Sequence, residues 1–190
     1  QLKDESLSRI HFRHNASTAE PKARPPVAVD PGIAAMILAE SDPANKIEVL
    51  SDLRGADPVV AATRDSLSGS HADDYGRVSR RYDFERPCFH VCVGKQNVHR
   101  ALLLLHSLVR AFKNRGFKIV PGDNQSSEPY VQVLERKFRL SLWEPSKQQK
   151  KELTKEQRRE KERYPWSGIR DYDYVPTGTL ALHLDRDSYS

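Results

Sequence analysis

A chain of 190 residues with 37% hydrophobic and 30% charged side chains is long enough for one domain plus extensions, and too apolar to be disordered throughout. No run approaches the ~20 apolar residues of a membrane-spanning helix, and the N-terminus lacks the basic and apolar regions of a signal peptide. The formal net charge of +5 is uneven: residues 1–26 carry +2, 27–74 carry −6 and 75–190 carry +9, so the last part has the sign that favours polyanions.

Residues 1–26 read as an extended arm, with one alternating run at Ile10-His11-Phe12-Arg13 and a proline-rich linker over 20–26. Residues 27–80 read as a small helical extension and linker. Asp30-Pro31 and Asp57-Pro58 each open a helix, with aspartate at the N-cap and proline at the first helical position. Residues 46–50 between them suggest a strand, and the polar stretch 66–80 suggests a loop and a domain boundary.

The remaining residues, 81–190, predict an α+β core with a charged insertion at 146–178. Cys88-Phe89-His90-Val91-Cys92-Val93 has strand length. Apolar residues at 98, 101, 102, 105, 108, 109 and 112 share one helical stripe, with Asn97 as cap and Gly116 as stop. Strands follow at 117–120, 131–133, 138–142 and 179–184, with a turn at Glu135-Arg136-Lys137. The sum is a mixed, mainly antiparallel sheet of four to five strands with one long helix on one face. Residues 146–163 read as a polar helical excursion, and 163–178 as an aromatic, proline-punctuated loop.

Catalytic and metal chemistry find little support. Cys88 and Cys92 on a straight strand lie ~13 Å apart, whereas two thiolates on one zinc lie within ~4.6 Å. The same spacing excludes a disulfide between them, and two thiols fit a reducing, cytoplasmic compartment. His99 and His106 stand two helical turns apart, ~10 Å, and cannot share a metal; His99 belongs on the wet face and His106 at its margin. Asp171 and Asp173 are the one carboxylate pair that suggests a metal-dependent nuclease, with no third partner in the sequence. No cofactor motif is present. The basic stretch offers nucleic-acid contacts at Lys147, Lys150, Lys151, Lys155, Arg158, Arg159 and Arg163, with Tyr164 and Trp166 as base stackers. The competing expectation is that these rings fold the loop back onto the sheet.

The segments 57–64, 74–77, 100–102, 115–117, 163–167 and 172–180 follow one order. Among them, Arg163-Tyr164-Pro165-Trp166-Ser167 and Tyr172-Asp173-Tyr174-Val175-Pro176-Thr177-Gly178 are the most specific. This pattern, over about 55–184, resembles a widespread, largely uncharacterised bacterial family found on chromosomes and mobile elements, with Asp57-Pro58 where that family usually has His-Pro. Its members carry an N-terminal helix-turn-helix-like segment that is absent here, and the chain starts at Gln1 as a fragment would. The resemblance implies the C-terminal effector, oligomerisation or partner-binding domain of a DNA-binding regulatory or mobile-element protein. It would be non-enzymatic, reaching DNA through that missing segment and forming a homo-oligomer. Direct nucleic-acid binding by the basic half is the alternative.

Overall fold

The computed structural model describes residues 31–81, 85–121 and 128–186, and the chain divides into two units, 1–46 and 47–190. Of the first unit, the described part is a helix, α1 (Pro31–Glu40), and a single 3-10 turn, Pro43–Asn45. Asp42 caps that turn by accepting from the Ala44 amide at 2.9 Å. Ile10–Arg13, the 20–26 linker, the Asp30 cap and the loop at 122–127 lie outside the described residues.

The second unit runs α2 (Pro58–Ser68), β1 (Arg77–Val78), β2 (His90–Gly94), α3 (Val98–Asn114), β3 (Lys118–Val120), β4 (Tyr130–Val133) and β5 (Arg136–Trp143). It continues with β6 (Ser146–Lys150), α4 (Lys155–Arg163), β7 (Tyr172–Pro176) and β8 (Ala181–Arg186). It is an α+β fold whose six-stranded sheet is organised by β5. β8 runs antiparallel along residues 138–143 of β5. A strand has two edges, so β4 and β2 follow one another along the other edge: β4 antiparallel at 136–139, β2 parallel at 141–143. β3 extends the sheet beyond β4, and β1 beyond β2. β6 and β7 form a separate antiparallel pair.

Alternation decides the faces. Val91, Val93, Val131, Leu140 and Leu142 point to one side and are buried with Leu102, Leu105 and Val109 of α3 and Val60 and Leu67 of α2. Each fully buried leucine or valine contributes roughly 1.5–3 kcal/mol of transfer free energy. α2 starts as its sequence suggests: Asp57 accepts from the Val59 amide at 2.9 Å, and its second oxygen takes Lys113 Nζ from the end of α3. Thr63 then ties α2 to the residue leading into β2: its Oγ1 donates to the Val59 carbonyl within the helix and accepts from the Phe89 amide. α3 ends in a Schellman motif: Gly116 (φ +79°) donates to Lys113 O, Phe117 donates to Phe112 O, and the two rings meet at 6.3 Å.

Several sequence expectations are corrected. The mixed, mainly antiparallel sheet and its long helix are as expected, with the closing strand present as β8; two-residue β1, not expected, makes it six-stranded among the described residues. The units divide at residue 46, not near 80, because Val59, Val60 and Leu67 share the core of the sheet. Residues 46–50 form no strand; the Leu50 amide donates instead to Ser107 Oγ at 2.9 Å. That crossing covers the flank of α3, so His106 is buried rather than marginal, while His99 is exposed as expected. Asn97 makes no cap bond, because its side chain is engaged elsewhere. The β4–β5 turn is Leu134-Glu135, not 135–137, and Leu134 adopts φ +56°. Residues 146–150 are a strand, and helix is confined to 155–163. Cys88 precedes β2 and lies buried, apart from half-buried Cys92; burial pushes both thiols up. Among the described residues, no helix is long and apolar enough to cross a membrane.

Candidate nucleic-acid interface

The arm formed by β6, α4 and β7 is built around a polar hairpin. Lys147 stands opposite Val175, and Lys150 opposite Tyr172, so the two lysines occupy opposite faces of β6. Lys151, just past the strand, pairs with Asp173 at 3.2 Å, and its amide donates to the Asp171 carbonyl at 2.8 Å. A capping box then starts α4: the Gln157 amide donates to Thr154 Oγ1, and the Thr154 amide to Gln157 Oε1.

Helical spacing sorts the charges of α4. Gln157 and Lys161, the two half-buried positions, face the hairpin, and Lys161 Nζ pairs with Asp171. Lys155, Arg158, Arg159 and Arg163 fall on the opposite, exposed side, an arc of about 140° at 100° per residue. Glu162 shares that arc. Arg158 Nε donates to the Leu153 carbonyl, and Arg163 lies 5.4 Å from the Tyr164 ring centroid.

The loop after α4 presents Trp166. Tyr164-Pro165-Trp166-Ser167 is a hydrogen-bonded turn closed by the Ser167 amide on the Tyr164 carbonyl at 2.9 Å, with proline at its second position. This turn holds the indole out at 84% exposure, and Tyr164 at 45%. The expectation that the aromatic segment folds back divides between its rings. Tyr172 and Tyr174 pack edge-on at 5.4 Å, and Tyr174 meets Tyr75 at 4.6 Å. Tyr164 and Trp166 remain in solvent.

Tyr75 also receives the Ser146 hydroxyl on its carbonyl, and Arg77 stacks on its ring at 4.7 Å while forming a two-pronged pair with Asp73. Burial alone would raise the Asp73 pKa; hydrogen bonds from the Arg77 amide and guanidinium, with one from the Tyr75 amide, outweigh it and hold the carboxyl low. Asp73, Lys151, Gln157, Arg170, Tyr172 and Asp173 are among the residues lining an open groove of about 540 Å³ along this arm.

A residue absent from the sequence expectations anchors the arm. Glu144 is fully buried and accepts from the Gly94 amide at 2.8 Å, Asn97 Nδ2 at 2.9 Å and the Gly178 amide at 2.6 Å. Pro176 wedges beside it: a Cβ on Gly94 would meet Pro176 Cβ at 2.8 Å, and one on Gly76 would meet its Cδ at 2.9 Å. The sequence did carry the signal. Glu144 continues the Phe138, Leu140, Leu142 alternation and so falls on the inward face.

The carboxylates Asp171 and Asp173 each carry a lysine partner, and no group of three or more metal-ligating side chains occurs among the described residues. No family model, curated protein or solved structure matches the chain.

Proposed function

We propose that this chain binds nucleic acid through the exposed face of α4 and the turn beyond it, with Lys155, Arg158, Arg159 and Arg163 on phosphates and Trp166 against a base. The observation that carries this reading is Trp166, held 84% exposed by a hydrogen-bonded turn directly after four cations on one helix face. Exposed indole beside guanidinium is the pairing that stacks bases while neutralising the backbone. The resemblance to a bacterial DNA-linked family agrees with a regulatory or mobile-element setting and supplies no catalytic role. A gel shift at low salt tests the proposal: wild type retards a labelled oligonucleotide, and Arg159→Glu combined with Trp166→Ala abolishes the shift. Absence of any shift for wild type contradicts it.

A second reading, an oligomerisation domain, is favoured by Leu182 and Leu184 of edge strand β8, which face the dry side of the sheet yet remain 40% and 54% exposed. Antiparallel self-pairing of β8 about Leu184 would set each His183 opposite the Asp185 of a second copy. Light scattering at high protein concentration decides this: a dimer lost in Leu184→Lys supports it, and a strict monomer excludes it.

A further inference from the structure

The side of the sheet opposite α3 has a composition that core packing does not require. Strand registers place its residues in rows across β5. Tyr130, Arg139 and Asp185 form one row, His90, Ser141 and His183 the next, and Cys92, Trp143 and Ala181 the third. Rows are about 7 Å apart along the strand, and neighbours within a row about 5 Å apart. His90, Arg139, Trp143 and His183 are exposed. Each ring carries a cation: Lys137 Nζ lies 4.8 Å from the Tyr130 centroid, and Arg77 Cζ 5.4 Å from that of Trp143. Arg77 is paired with Asp73, and among the described residues Lys118 and Lys137 stand on the strands of this face, where Asp185 is the one carboxylate, opposite Arg139.

We infer that this outer sheet face is a second nucleic-acid surface, a stacking platform for the unpaired bases of a single strand, with Trp143 and Tyr130 as its ring stations. The inference takes its ligand class from the function proposed above but rests on a different surface. A buried hydrophobic role does not account for the rings, since Trp143 remains 38% exposed with Arg77 over it. Aromatic side chains standing on a rigid sheet, interleaved with histidines and cations, present to bases the ring surface that their own cations leave open, while Lys118 and Lys137 neutralise the backbone. A duplex keeps its base faces stacked inside the helix, so the platform selects unpaired strands.

The chain has two tryptophans, Trp143 on the sheet and Trp166 on the arm, so each surface can be read separately by fluorescence. In Trp166→Phe only the sheet reports; in Trp143→Phe only the arm reports. Titration of the first variant with a mixed-sequence single-stranded 15-mer is expected to quench Trp143 saturably, with the matching duplex quenching far less. Adding Tyr130→Ala is expected to weaken binding roughly 5- to 100-fold. Quenching of Trp166 without quenching of Trp143 overturns the platform and leaves the arm standing. Quenching of Trp143 alone supports the platform and counts against the arm. Quenching of neither overturns both, and equal quenching by duplex overturns the single-strand selectivity. Single-stranded RNA and DNA of one sequence, run in parallel, distinguish the two sources of unpaired bases.

Discussion

Glu144 Oε1 accepts from the Gly178 amide at 2.6 Å, joining the end of β5 to the loop that leads from the arm back to the sheet. The same carboxylate holds Gly94 and Asn97, so one buried side chain closes three backbone segments onto each other. In Glu144→Gln the retained oxygen can still serve Asn97 and Gly178, but the new amide nitrogen faces the Gly94 N–H, donor against donor. A loss of about 1–3 kcal/mol is expected, read as a lower urea midpoint, together with faster amide exchange at Gly178. An unchanged midpoint would show that the three bonds contribute nothing net.

The β4–β5 turn stores strain at Leu134, where φ is +56° and the side chain is exposed. A left-handed conformation in a two-residue hairpin turn is the place for glycine. Leu134→Gly is expected to stabilise the protein by about 1 kcal/mol in denaturant unfolding, since the relieved strain exceeds the added unfolded-state entropy. Destabilisation by that substitution would mean that the leucine contributes packing at the turn.

Asp73 gives a pH dependence with a definite sign. Its carboxyl titrates below the ordinary aspartate range in the folded chain because the Arg77 and Tyr75 hydrogen bonds outweigh burial. The unfolded state therefore takes up its proton first as pH falls. The stabilisation is fully present above about pH 4 and disappears as pH drops through the lowered folded value. The stability gap between wild type and Asp73→Asn is thus expected to be largest at neutral pH and to narrow below about pH 4 in pH-resolved urea titrations. A gap that stays constant down to acid would place the effect in the neutral hydrogen bonds.

What could be read from the sequence follows how local each signal is. α3 was legible in its extent and at its C-terminal end because its stripe, Gly116 stop and basic last turn lie within one stretch of chain, whereas the side chain of Asn97 at its start serves Glu144, a partner distant in sequence. β6 was not: Ser146–Lys150 is polar throughout, and its partner Tyr172–Pro176 lies more than twenty residues on, so pairing rather than propensity makes it a strand. The register of the β4–β5 turn was missed because leucine at its left-handed position gives no glycine or asparagine signal. The cations and rings of the arm were visible as residue types, but not their sorting. Only the packing of Gln157 and Lys161 on the hairpin fixes which side of α4 faces outward. Glu144 was legible as an inward position and overlooked as a carboxylate.

Nucleic-acid binding by the α4 face is tested most directly by the salt dependence of oligonucleotide affinity. Four phosphate contacts from Lys155, Arg158, Arg159 and Arg163 predict a slope of log K against log salt of about −3 to −4, and substitution of Arg159 by glutamine should remove a little under one unit of slope. A slope near zero, or one that Arg159→Gln leaves unchanged, would contradict the assignment.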